Sequence, residues 1–157
     1  MYTAGSILYF TPFFFKNGNA PKNKYFIVLG SSGDDLIVAS LPTSQDHVPN
    51  YLPKKHGCIE DSRSNFNCYY FEKGRIISEC NTFFFPLDTY IYGEQVDVMS
   101  KNLLNSQYQT ENKDYIKLCN LSSTEFDLIR NCLINSASVK RKIQKYLIAG
   151  AHRTAAS

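Results

Sequence analysis

Residues 24–44 read Lys24-Tyr-Phe-Ile-Val-Leu29, Gly30-Ser-Ser-Gly-Asp-Asp35, Leu36-Ile-Val-Ala-Ser40 and Leu41-Pro-Thr-Ser44. Two apolar runs flank a Gly/Ser/Asp segment, the composition of a turn joining two strands of a hairpin. Neither run alternates apolar with polar residues. Neither therefore reads as a strand with one wet face, and both are expected in the middle of a sheet. The second run ends in Pro42-Thr43-Ser44, a turn with free hydroxyls at its mouth, and the first begins with a lysine. Thr43 beside Lys24 makes a candidate anion or phosphate site.

Outward from this hairpin, Gly5–Phe10 reads as a first strand, and Phe13–Phe15 continues it past Pro12, which forces an edge or a bend. Lys16–Asn23 is a basic, turn-rich loop. Gln45–Asn65 is polar and carries Pro49, Pro53 and Gly57. It reads as a long loop, of a length that tends to be functional or mobile. Phe66–Phe71 and Arg75–Ser78 read as a hairpin about Glu72-Lys73-Gly74, Thr82–Phe85 as a further strand, and Leu87–Tyr92 as an edge beyond Pro86. Val96–Leu104 reads as a short helix and Tyr115–Leu118 as a short strand. Ser122 with Glu125 has the spacing of a capping box, and Phe126, Ile129 and Cys132 or Leu133 follow at helical spacing. Ser138 is expected to cap a second helix, with Val139, Ile143, Tyr146 and Leu147 on one face and Gly150 as its stop. The resulting class is mainly β with two C-terminal helices, the strands forming a small antiparallel barrel over about 4–118.

The chain has 157 residues, of which 43% are hydrophobic and 20% charged, enough for one domain with a sizeable core. Its apolar runs are too short to span a membrane, and the N-terminus carries no basic and apolar leader, so a cytoplasmic location is expected. The five cysteines are widely spaced, which reads as reduced thiols rather than a disulfide frame or a zinc site. No metal or other cofactor is expected. Charge is uneven: residues 1–100 hold 8 Lys/Arg against 10 Asp/Glu, and residues 101–157 hold 9 against 4. The basic C-terminal end either faces an acidic partner such as nucleic acid or is a solvated helix face.

Three blocks resemble the PemK/MazF-like toxin family of type II toxin–antitoxin systems. The first is Gly5–Phe10, a glycine-containing loop, and Lys22–Leu29. The second is Leu36–Gln45, with the family's Pro-x-Thr-Ser ending replaced by Pro42-Thr43-Ser44. The third runs from Phe83–Asp88 to Leu121–Leu133. The resemblance implies an SH3-like barrel, a metal-independent endoribonuclease acting on single-stranded RNA, a homodimer, and neutralisation by an antitoxin protein. It places the active-site arginine on Lys24 and the acid on Asp88. The proline after that arginine is Tyr25 here, and a second arginine falls near Pro86.

Metal-free RNA cleavage needs a base for the 2′ proton, an acid for the leaving oxygen and a cation for the phosphorane. Lys24 supplies a point charge where arginine supplies a fork. Thr43 and Ser44 offer hydroxyl donors. Asp88 is the candidate base, and His47 is a candidate acid or base near neutral pH. Lys22, Lys140 and Arg141 are candidate RNA contacts. Two other readings stand beside this one. One is a barrel that cuts nothing and binds a gyrase-like protein target or nucleic acid through the basic helix Lys140–Lys145. The other is a fold relative with an unrelated task.

Overall fold

The computed structural model describes residues 2–15, 18–41 and 46–156, the last six of these as backbone. Two antiparallel sheets and three helices make up the described chain. The first sheet contains β1 (Ser6–Phe13), β2 (Lys22–Ser32), β3 (Asp35–Leu41), β7 (Asp97–Ser100) and β8 (Tyr115–Asn120), in the order β7-β3-β2-β1-β8. The second contains β4 (Gly57–Asp61), β5 (Phe66–Phe71) and β6 (Thr89–Tyr92), in the order β4-β5-β6. The helices are α1 (Lys101–Gln107), α2 (Ser123–Ile134) and α3 (Arg141–Ala156).

The continuous apolar runs of β2 and β3 have a direct cause: their sheet is covered on both faces. Ile7, Ile27 and Ala39 are in register and point into the main core, which Tyr69, Phe71 and Ile91 of the second sheet and Ile129, Leu133, Ile143 and Leu147 of the helices complete. Their neighbours Leu8, Phe26 and Val28 face the opposite way, into a second cluster closed by Leu104, Tyr108 and Tyr115. A third cluster, Ile59, Cys68, Tyr70, Tyr90 and Tyr92, lies on the far face of the small sheet under Val48 and Leu52. The described strands form two open sheets, not a closed barrel, with β7 and β8 at the edges of the larger one.

Several elements differ from the sequence reading. The joint between β2 and β3 is only Gly33-Asp34, because Ser32 still pairs with Asp35. Gly33 sits at φ +58, which fits the first central position of a tight hairpin turn and suits glycine. The 45–65 stretch is not one long loop: β4 lies within it and pairs with β5. Arg75–Ser78 and Thr82–Phe85 are not ladder strands. They meet through Gly74 N–H to Phe85 O at 2.9 Å and Ile77 N–H to Phe83 O at 3.0 Å. Val96–Leu104 divides into β7 and α1, and Ser100 Oγ caps α1 by accepting Leu103 N–H.

Ser122 caps α2 as expected, accepting Glu125 N–H at 3.2 Å, but the box is half made. Ser122 N–H donates to Ile77 O at 2.9 Å instead of to the Glu125 carboxylate. Ser138 does not cap α3; its hydroxyl donates to Asn65 Oδ1, and the helix starts at Arg141. Gly150 does not stop α3, which runs through it to Ala156. The cysteines are not all reduced: Cys58 on β4 and Cys132 on α2 are joined in a disulfide, while Cys68, Cys80 and Cys119 are free thiols. Among the described residues no helix is long and apolar enough to cross a membrane.

Candidate functional site

β2 begins with two exposed polar residues before its apolar run, so Lys22 and Lys24 leave the sheet at its end. Alternation along the strand sends both side chains the same way. The segment before α3 brings Lys140 to the same place. Its carbonyl accepts the Gln144 N–H at 3.1 Å, which makes it the helix N-cap. These three lysines line one open cleft of about 600 Å³, with Asn19, Ser40 and the Glu94–Asp97 segment as its other walls. The charges are mixed, because Glu94 and Asp97 line the same cleft as the lysines. Burial and then the adjacent Lys22 charge hold the Lys24 ammonium below the ordinary lysine range. Its Nζ stands 5.9 Å from the centre of the Phe15 ring.

Phe15 also lines a second, mostly apolar pocket of about 240 Å³, with Phe13, Phe26, Val38 and Met99. Ser40, Gln95 and Asp97 belong to the walls of both cavities. The lysine cleft therefore opens onto an aromatic cup. Phe13 is held edge-on to Phe15 at 5.4 Å and parallel to Tyr108 at 5.6 Å. Tyr108 OH accepts the Phe14 N–H at 2.9 Å, which fixes the segment that carries the rings. Sequence reasoning read Phe13–Phe15 as the continuation of a strand and missed the cup, because its walls come from β1, β2, β3 and β7 and none of these runs is unusual alone. It also missed Glu94, which lies between the two stretches assigned there, and Asp97, which lies in the stretch read as a short helix.

The other residues singled out from the sequence lie elsewhere. Asp88 does not line the lysine cleft. Its carboxylate accepts Tyr70 OH at 2.9 Å and Lys73 N–H at 3.0 Å, and stands 3.8 Å from Lys54 Nζ. Lys54 also bonds Asp46 at 2.6 Å and Tyr90 OH at 2.9 Å, and lies over the Tyr70 and Tyr90 rings. Those bonds raise the Lys54 pKa, first through Asp46 and then through Tyr90. The arrangement ties the 46–54 segment to the small sheet. His47 belongs to the same tie: its N–H donates to Tyr92 OH at 2.8 Å and its ring lies 5.3 Å from the Tyr92 ring. Arg141 is exposed on the first turn of α3, next to Lys140 but outside the cleft walls. Thr43 and Ser44 lie outside the described residues.

One buried polar cluster does not line any of the cavities described above. His56 Nε2 and Glu125 Oε2 are 2.9 Å apart, and Tyr69 OH donates to the same oxygen. His56 Nδ1 accepts the Glu72 N–H at 3.1 Å, so in the neutral ring Nε2 carries the proton and donates to Glu125. Burial pushes the Glu125 carboxyl up, but the bonds from His56 and Tyr69 and the charge of Arg75 outweigh it and hold it below the usual range. With the His56 side chain 5% exposed, this cluster fastens the 46–56 segment to α2. Among the described residues, no group of three or more His, Cys, Asp and Glu side chains is placed to hold a metal ion.

No protein-family model, no curated protein and no solved structure matches this chain.

Proposed function

We propose that the lysine cleft and the aromatic cup together bind single-stranded RNA, a phosphate against Lys22, Lys24 and Lys140 and a base in the cup. The observation that carries this is the shared wall: cations for a backbone open directly onto rings for a base, the two elements that single-strand binding combines. The start of α3 adds to it. Lys140, Arg141 and Lys142 stand at the positive end of the helix dipole with no acid in the first turn, an arrangement that an anion relieves.

The toxin reading implied by the resemblance is proposed within the same site. Lys24 then faces the scissile phosphate, and the carboxylates that line its cleft are Glu94 and Asp97, so the base is one of these instead of Asp88. A homodimer and an antitoxin partner belong to that reading, as does an SH3-like arrangement in which two packed sheets stand in place of a closed barrel. It draws support from the consecutive antiparallel β1-β2-β3 order, with β8 returning beside β1.

The test is fluorescence anisotropy of a labelled ten-nucleotide RNA against the parent and the Lys22→Ala/Lys24→Ala/Lys140→Ala variant. With three phosphates neutralised, the parent's log K should fall against log salt with a slope of about −2. The triple variant should bind far more weakly with a slope near zero. Phe15→Ala should cost roughly 1–3 kcal/mol, and Asp88→Asn should change nothing. Equal binding by parent and triple variant would remove the site. The same RNA incubated in EDTA reports cleavage, which Asp97→Asn or Glu94→Gln should abolish if the toxin reading holds.

A further inference from the structure

Two free thiols, Cys80 and Cys119, lie away from the cleft on the two sides of one antiparallel contact. The 77–83 hairpin runs antiparallel to β8. Ser78 is bridged to Leu121, Glu79 N–H donates to Asn120 O at 3.1 Å, and Ser122 N–H donates to Ile77 O at 2.9 Å. The two bonds flank Ser78 and Leu121, which are therefore a non-hydrogen-bonded pair, the kind whose side chains approach most closely. Cys80 directly follows Glu79 and Cys119 directly precedes Asn120, so the Glu79–Asn120 bond brings both cysteines to the same end of this contact, where the chain enters the Ser78–Asn81 turn.

The two sulfurs have different surroundings. Cys119 is half-buried and packs against the main core. Cys80 is exposed in the turn that Asn81 N–H closes by donating to Ser78 O at 3.1 Å. Its Sγ lies 2.9 Å from Thr82 Oγ1 and 3.5 Å from Ser78 Oγ. Those hydroxyls, Thr82 first, hold the Cys80 thiol below its ordinary pKa. Burial, then the nearby Cys80 charge, pushes Cys119 up to about 11. An accessible thiol that ionises more readily than usual, near a sheltered partner, is the arrangement of a thiol pair that oxidation can join.

We propose that Cys80 and Cys119 form a peroxide-responsive dithiol that closes into a second disulfide and staples the hairpin to β8. The Cys80 thiolate attacks one oxygen of hydrogen peroxide. The O–O bond breaks, and Cys80 sulfenic acid and hydroxide form. The Cys119 sulfur then attacks the Cys80 sulfur, the S–O bond breaks, and the departing hydroxyl takes the Cys119 proton and leaves as water. The hydroxide from the first step takes up the proton that Cys80 gave up on ionising. In total, two thiols and one peroxide give one disulfide and two waters.

The test treats the folded parent protein, its Cys58–Cys132 bond intact, with stoichiometric hydrogen peroxide, then alkylates free thiols and maps peptides without reduction. The expected product has lost two hydrogens, carries a Cys80–Cys119 cross-linked peptide, and keeps Cys68 free. In Cys119→Ser, Cys80 should stop at the sulfenic acid and be captured by dimedone. If Cys80 in the parent goes on to sulfinic acid, joins a second molecule, or stays reduced while Cys119 remains alkylatable, the proposal is wrong. The parent's peptide map decides the matter even where a variant folds poorly.

Discussion

Replacing Cys58 by Ser removes a cross-link while leaving the packing almost untouched, because Cys58 is exposed and only its partner Cys132 is buried. The bond closes a loop with a sequence separation of 74. Loop-closure entropy for a loop of that length gives about 4 kcal/mol of stabilisation at room temperature through the unfolded chain. For a chain of this length each kcal/mol shifts the unfolding midpoint by about 2–4 °C, so Cys58→Ser should melt roughly 10–15 °C below the parent. Thermal unfolding followed by circular dichroism, without reductant, measures this. Adding a phosphine reductant should lower the parent to the level of the variant and leave the variant where it is. A variant within about 1 kcal/mol of the parent would refute the reasoning, since the entropy of so long a loop leaves no room for so small an effect.

Glu125→Gln should cost about 3 kcal/mol at pH 7, because His56 and Tyr69 lose a buried carboxylate partner. The Glu125 pKa is lowered in the folded protein, so its stabilisation is present above the unfolded value near 4.5 and is lost as pH falls through the folded value. Denaturant midpoints of parent and variant should therefore converge below pH 4.5, and a gap that widens in acid would contradict this. Gly93→Ala should cost about 2–3 kcal/mol, because a Cβ there would lie 2.3 Å from Asn67 Oδ1 and 2.8 Å from Val139 Cγ2. Asn67 cannot swing aside freely, since its Nδ2 is held by Glu60 at 2.8 Å and by the Cys132 carbonyl at 3.2 Å. Adding Asn67→Ala to Gly93→Ala should then cost less than it does in the parent, a coupling that a double-mutant cycle reads directly. Asp35→Asn should loosen α3 from the first sheet by removing the charged acceptor of Tyr146 OH, seen as faster amide exchange in α3 and little change in β5.

What the sequence disclosed follows from how local each signal is. The central placement of β2 and β3 was legible because burial on both faces leaves a continuous apolar run in a single stretch. The start of α2 was legible because its cap is made by a residue three positions away. β4 was hidden because, of Gly57-Cys-Ile-Glu-Asp61, only Ile59 is buried, which is too little alternation to mark a strand. The Cys58–Cys132 bond was hidden for a related reason: its partners meet only because α2 packs on β4, and wide spacing carries no trace of that. In the candidate site, Lys22, Lys24 and Lys140 stand out as charges in the sequence, and the fold brings them together. The cup and the Glu94/Asp97 wall required four strands, β1, β2, β3 and β7, to converge. Asp88 and His47 stood out by residue type, yet their bonds run to Lys54, Tyr70 and Tyr92, which no spacing rule connects to them.

The most direct test of the central claim is photo-crosslinking of a short 4-thiouridine RNA to the parent protein, followed by mass spectrometry of the joined peptides. Cross-links should fall on Phe13–Phe15 and on the Gln95–Met99 wall, and should vanish in the triple lysine variant. Cross-links confined to the outer face of α3, or unchanged in that variant, would contradict a site built from the lysine cleft and the aromatic cup.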